Sequence, residues 1–270
     1  MAQIVYNICM KISIITLFPK MISSFLDESI VRRAKEKGAV EIEIVDLRKF
    51  AKNKYGSVDD RPYGGGAGMV LRVDVLHEAL QDIIKDSGQA PTLQKVSGQA
   101  RMTILTSAKG KKFNQQKAQE YSKLNHLVLI AGHYEGFDER VLDFIDEEIS
   151  LGDFVMTGGE ITAAAVVDSV VRLLPNVLKK EEATQSESFF EVSVDKLIEV
   201  VGVNDLLEKL KQKGAEKVKL LEYPHYTRPE EFRGKKVPEV LLKGNHKQVD
   251  EWRLKMAYEE TVRKRVDLLQ

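Results

Sequence analysis

The chain has 270 residues, of which 43% are hydrophobic and 30% charged, a balance that fits a folded globular protein and excludes an intrinsically disordered one. Lysine plus arginine and aspartate plus glutamate both number 41, so net charge points to no acidic partner, and a nucleic-acid site would have to come from local clustering. A single cysteine, Cys9, excludes a disulfide framework and a cysteine-based zinc site and fits a reducing, cytoplasmic setting.

No apolar run reaches the roughly 18 residues of a membrane span. The start "MAQIVYNIC" has no basic region of the kind that opens a signal peptide. A second methionine, Met10, follows it, so residues 1–9 read as an upstream start or an expression remnant. "KISIITLF" (11–18), closed by Pro19, predicts a buried strand. Apolar spacing over 21–37 predicts one helix, stopped by Gly38. "VEIEIVDL" (40–47) alternates as a strand should. The turn-rich loop "YGSVDDRPYGGGAGM" (55–69) then leads to a helix near 73–85 and the strand "RMTILT" (101–106).

A polar helix over 114–124 precedes the apolar strand "HLVLIAG" (126–132). "EEISLGDFVM" (147–156) carries another strand into the glycine turn "GDFVMTGGE" (152–160), and "ITAAAVVDSVVRLLP" (161–175) continues as a core helix. Strands alternating with helices predict an α/β domain with a mostly parallel sheet, over 10–178. Residues 179–222 read as a linker, and 223–270 as a mainly helical C-terminal domain.

Three glycine-bearing turns follow strands: "LTSAKG" (105–110), "AGHYEG" (131–136) and "GDFVMTGGE". In a parallel sheet such turns gather at the carboxyl edge, where ligands bind. None fits a phosphate-binding template, and Glu135, Asp153 and Glu160 would repel a triphosphate. A cationic or neutral ligand suits acid-rimmed turns better, and S-adenosylmethionine carries a sulfonium. Asp168 and Arg172, four apart on the helix, share a face and read equally as an ion pair or as functional groups. His133 and Glu135 have no further ligand at metal spacing, so a positional role is the better reading and no metal site is assigned. The aromatic and basic stretch "YPHYTRPEEFRGKK" (223–236) suits stacking on unpaired bases.

Seven stretches together resemble the bacterial TrmD-type tRNA (guanine-N1)-methyltransferases: "ITLFP", "DDRPYGGGAGMV", "GHYEGFDERV", "SLGDFVMTGGE", "VDSVVRLLPNVL", "LLEYPHYTRP" and "VLLKGNH…EWR". They occur in family order and cover nearly the whole chain from Met10. The resemblance implies a SPOUT fold with a deep trefoil knot and a homodimer whose active site is built across the subunit interface. It also implies methyl transfer from S-adenosylmethionine to N1 of guanosine 37, in the anticodon stem-loop of tRNA.

By the same resemblance the cofactor is held by Thr106, Ser107, Ala108 and Gly110 of the first turn and by Gly132, Tyr134, Glu135 and Gly136 of the second. The third turn contributes Ser150, Leu151, Gly152, Phe154, Val155, Met156, Gly158 and Gly159. The first turn departs from the family's usual "SPQG", with Ala108 for proline and Lys109 for glutamine. Glu187 stands where the family has a catalytic aspartate. Arg172 matches the arginine expected to stabilise charge on guanine O6, and the resemblance gives Glu135 a role in charge balance or in holding a magnesium ion. Substrate contacts are implied at Asp59, Asp168, His225, Tyr226, Arg228 and His246. About thirty residues lie between Phe189 and Leu220 where family members have only a few, so the linker carries an insertion of two short amphipathic helices. Alternative readings are a SPOUT enzyme acting on another RNA base and a tRNA-binding homologue weakened in catalysis.

Overall fold

The computed structural model describes residues 9–86, 101–179 and 187–269; residues 1–8 of the N-terminal stretch and 180–186 of the expected linker lie outside them. The chain divides into two compact units, Met1–Lys179 and Lys180–Gln270.

The first unit runs β1 (Met10–Thr16), α1 (Pro19–Leu26), α2 (Ser29–Glu36), β2 (Val40–Asp46), the short pair β3 (Asp59–Asp60) and β4 (Val70–Leu71), then α3 (Val73–Asp86). It continues through β5 (Arg101–Lys112), α4 (Gln115–Tyr121), β6 (His126–Ala131), β7 (Glu147–Ser150) and α5 (Glu160–Val171). Five strands form one sheet in the order β2-β1-β6-β5-β7, with every neighbouring pair parallel. The period of two in each strand sorts its side chains to opposite faces. Ile12, Ile14, Leu127 and Leu129 pack under α1, α2, α4 and α5, while Ile15, Val128 and Ile130 pack under α3. Both faces are covered, which is why β6 is buried along its whole length.

Two local features differ from the sequence reading. The helix expected over 21–37 is two helices, because the chain leaves helical geometry at Asp27 and Glu28 and Ser29 takes φ +50°. Lys35 bridges the break, donating to the Leu26 carbonyl at 3.5 Å and the Asp27 carboxylate at 2.7 Å, so a C-terminal carbonyl of α1 keeps a partner. The turn expected at 105–110 lies inside β5. β7 pairs with Thr106 through Ile149 and again with Lys111 through Ile149, so residues 107–110 form a bulge. Gly110 serves that pairing, since a Cβ there would strike the backbone of Ile149 and Glu148.

The second unit is more than helical. β8 (Phe190–Ser193) and β9 (Lys217–Leu220) pair antiparallel, and between them run α6 (Val194–Val201) and α7 (Asp205–Gln212). A small pair, β10 (Glu231–Phe232) and β11 (Lys235–Lys236), precedes α8 (Glu239–Leu242) and α9 (His246–Lys264). The expected amphipathic helices of the insertion are present, and the two are capped by Ser193 and Asn204 side chains. The residues read as a linker insertion are not a surface addition. Val192, Leu197, Leu207, Leu210 and Val218 make one core with Ala257 and Tyr258 of α9.

At the opposite edge of the main sheet from the three turns, His126 is buried and its Nε2 lies 2.9 Å from the Ser13 hydroxyl. Burial, helped by the charges of Lys11 and Arg101, lowers its pKa from 6.5 to about 4. The unfolded chain therefore binds the extra proton between those values, and stability falls as pH falls through that window, by about 3 kcal/mol at the limit. In urea unfolding, His126→Gln is expected to remove about 2 kcal/mol of the stability difference between pH 7 and pH 5; an unchanged difference would show that His126 does not titrate this way.

Candidate active site at the carboxyl edge of the sheet

β5, β6 and β7 lie side by side, so the segments that follow their buried cores converge. They enclose a cavity of about 300 Å³, within the range of small-molecule sites. Its lining includes Thr106, Ser107 and Ala108 of the bulge, Gly132, Tyr134, Glu135 and Gly136 after β6, and Ser150, Leu151 and Gly152 after β7. Phe154, Val155, Met156, Gly158 and Gly159 complete the third wall. Gly110 is the exception among the expected lining residues, being committed to the bulge. His133, Phe137, Lys109, Glu139, Leu142 and Thr157 also line the cavity. Nothing in the spacing of Lys109 and His133 marks them as lining residues, although both face the cavity. Glu139 and Leu142 come from a short 3₁₀ turn, Glu139–Phe144, that has no clear period in the sequence.

Space decides why these turns carry glycine. A Cβ on Gly159 would meet the Thr106 hydroxyl and lie 2.7 Å from the Gly132 nitrogen. Its φ of −86° is ordinary, so proximity rather than backbone conformation selects glycine. The Gly159 N–H donates to the Gly132 carbonyl at 2.7 Å, and His133 and Gly158 form an isolated antiparallel bridge. A Cβ on Gly158 would strike His133 Nε2, and one on Gly132 would come within 2.9 Å of the Phe137 ring. The second turn is fastened on its other side as well. Glu135 N–H donates to the Met69 carbonyl at 3.1 Å, Leu71 N–H donates to the Gly136 carbonyl at 2.9 Å, and a Cβ on Gly68 would overlap the Glu135 side chain.

The acids do not ring the cavity as the sequence suggested. Asp153 is exposed and paired with Lys112 at 2.6 Å. Glu160, 2% exposed, points inward to Thr16 and His133. Glu135 alone of the three lines the cavity, and the rim also carries the exposed pair Lys109–Glu139 at 3.4 Å. Among the described residues no group of three or more His, Cys, Asp or Glu is placed to hold a metal ion.

The remaining expected site residues occupy several places. Arg172 caps the carboxyl end of α5, its N–H donating to the Asp168 carbonyl, and is half-buried; Asp168 is exposed on the same helix. Asp59 sits in β3 opposite Leu71. In the second unit Glu187 is half-buried, and its carbonyl accepts the Phe190 N–H at 3.1 Å. Ser188 Oγ accepts the Glu222 N–H at 3.2 Å, and Phe189 N–H donates to the Leu220 carbonyl at 2.6 Å. The Glu187 turn is thus stitched to the end of β9. His225 lies 3.2 Å from Glu222 and against the Tyr223 ring, Tyr226 faces Trp252, and Arg253 lies over Tyr223. Arg228 and His246 are exposed, the latter at the start of α9.

Because Gly159 has no free volume, Gly159→Ala is expected to cost about 1–3 kcal/mol of stability by overpacking. Thermal unfolding checks this; an unaltered melting temperature would mean that the turns separate without cost.

The residues were compared with known families, curated proteins and solved structures. The family profile described as "tRNA (Guanine-1)-methyltransferase TrmD" matches residues 10–270. A tRNA (guanine-N(1)-)-methyltransferase of Anoxybacillus flavithermus is 44% identical over 262 residues, covering 97% of this chain and 92% of the relative. The Bacillus subtilis protein of the same name is 42% identical over 261 residues, covering 96% and 92%. The crystal structure of tRNA (m1G37) methyltransferase from Aquifex aeolicus superposes with a TM-score of 0.68 at 38% identity, covering 97% of this chain and 95% of that one. Likeness along nearly the full length, in sequence and in the parallel five-stranded sheet alike, places this chain in the TrmD family of tRNA (guanine-N1)-methyltransferases.

Proposed function

We propose that this enzyme methylates N1 of guanosine 37, beside the anticodon of tRNA, using S-adenosylmethionine as methyl donor in the cytoplasm. The observation that carries the cofactor assignment is the cavity walled by three strand-end segments, with no space for a Cβ at Gly132, Gly158 and Gly159 where two of them meet. Such walls bring backbone N–H and C=O groups close enough to hydrogen-bond an adenine edge. The lining offers a cation, Lys109, and the carboxylates of Glu135, Glu139 and Glu148 to a ligand whose amino-acid end carries both charges. When bound, the cofactor supplies a methyl group on a sulfonium centre.

The protein's own work is proton removal and charge stabilisation. Guanine N1 carries a proton that must leave as the methyl arrives, and Glu187 is assigned as the base that accepts it. Negative charge then develops on guanine O6, and the Arg172 guanidinium is assigned to stabilise it. Glu135 is assigned to charge balance or to a magnesium ion, which would keep most of its waters. Tyr226, His225, Arg228 and His246 are assigned to the tRNA, with Asp59 and Asp168 as further substrate contacts. The proposal includes the knot around the three turns and a homodimer that completes each active site.

The test is methyl transfer to tRNA transcripts, with nucleoside analysis of the product. N1-methylguanosine is expected from a transcript with G at position 37 and no product from one with A there; equal transfer to both would refute the assignment. Glu187→Gln should lower kcat by roughly 10²–10⁴-fold while Glu187→Asp keeps most activity. Arg172→Ala should lower kcat by roughly 10²–10³-fold.

A further inference from the structure

Neither acid of the third turn lines the cavity, and Glu160 is the buried one. It begins α5, immediately after Gly158 and Gly159, with its side chain 2% exposed. Two donors from elsewhere in the chain meet it. The Thr16 hydroxyl, at the end of β1, donates to Oε1 at 2.6 Å, and His133 Nε2, in the second turn, lies 2.9 Å from Oε2. An ionised carboxylate can only accept, so the His133 N–H is the donor. Thr16 is itself held, its oxygen accepting the Phe18 N–H at 2.9 Å, and the Phe18 ring lies 4.5 Å from the His133 ring. The amino end of α5 favours a negative side chain at that position. The two glycines make the arrangement reachable, since a Cβ on Gly158 would collide with His133 and come within 2.5 Å of Glu160 Oε2.

Resting on the reading of the cavity as the S-adenosylmethionine site, we propose that the Glu160–His133 bond is a strut that sets the distance between the second and third turns, and with it the width of the cofactor pocket. Glu160 and His133 are positioning residues in this arrangement. Backbone contacts alone leave the turns linked by the Gly159–Gly132 bond and the His133–Gly158 bridge, both at one end. The side-chain bond adds a further tie, from the second turn to Glu160, where the third turn enters α5. Thr16 anchors the strut to the sheet. A binding site held this way loses affinity when its supporting hydrogen bonds are removed, even though they touch no ligand.

The test measures binding of S-adenosylhomocysteine by calorimetry, with hydrogen exchange of the ligand-free protein as a readout independent of the cofactor. His133→Ala should weaken binding by roughly tenfold or more and speed amide exchange in residues 132–136 and 152–159, with little change in β1. His133→Gln, whose amide nitrogen reaches the same place, should restore affinity to within about threefold. Glu160→Gln offers the same test from the buried side; if it does not accumulate as folded protein, the two His133 variants decide. A melting temperature lowered in His133→Ala with binding and local exchange unchanged would overturn the strut, leaving it a stabilising contact only. Failure of the unaltered protein to bind S-adenosylhomocysteine would instead remove the pocket reading itself.

Discussion

The Gly159 N–H···O=C Gly132 bond, 2.7 Å long, is the contact on which the rest of the site depends. It lets the turn after β7 cross the turn after β6 at backbone distance, and that distance is available because Gly159 carries no Cβ. Everything else around the cavity follows from that crossing. Thr106 at the carboxyl end of β5's core donates its hydroxyl to the Ile130 carbonyl at 3.0 Å, so the bulge is registered against β6. β4 then clamps the far side of the second turn through Leu71 and Gly136. A parallel sheet brings the three strand ends together, but it does not fix the turns that leave them; the close crossing does.

The sheet was legible in the sequence because fully buried strands and alternating edge strands leave distinct patterns. "HLVLIA" is apolar throughout and lies at the centre, whereas "VEIEIVD" alternates and lies at the edge. The turns after β6 and β7 were legible for the same reason, each following a β-rich run. The break between α1 and α2 was not, since Asp27 and Glu28 are tolerated in helices and the split is supported from a distance by Lys35. The bulge in β5 was hidden because its return to β7 pairing uses lysines, with no apolar signature. The direction of an acidic side chain was also invisible. Glu160 and Asp153 read alike on paper, yet one is buried on two donors and the other paired with a surface lysine. The carboxylates that do line the cavity are Glu135, Glu139 and Glu148, of which only Glu135 stood out in the sequence.

The second unit shows the same limit from another side. "FEVS" and "KVKL" alternate and pair as β8 and β9, but each is four residues long, too short to stand out beside a charged helical stretch. α9 carries little apolar surface of its own, burying Ala257, Tyr258 and Thr261. It depends on partners: the Tyr258 hydroxyl reaches Asn204 Oδ1 at 3.2 Å, and Thr261 Oγ1 accepts the Leu221 N–H at 2.8 Å. A helix so polar gains most of its stability from packing rather than propensity. The segment from 190 to 220 supplies that packing and, at its end, the carbonyl that receives Phe189 N–H. The same residues therefore build the core and hold the Glu187 turn.

A cavity walled by backbone tolerates side-chain change at the wall, because peptide groups survive substitution while the turn keeps its path. This explains how the first turn can carry Ala108 and Lys109 in place of the residues the family resemblance would supply: that wall is set by the bulge pairing of β5 with β7, which requires Gly110 and leaves positions 108 and 109 free. Positions that cannot change are those where two backbones meet or where a side chain spans two turns. Gly159 is of the first kind and His133 with Glu160 of the second, while Gly132 and Gly158 are confined by the side chains of Phe137 and of His133 and Glu160. The width of the pocket is thus set where the second and third turns meet, at Gly132, Gly158 and Gly159 and at the His133–Glu160 pair.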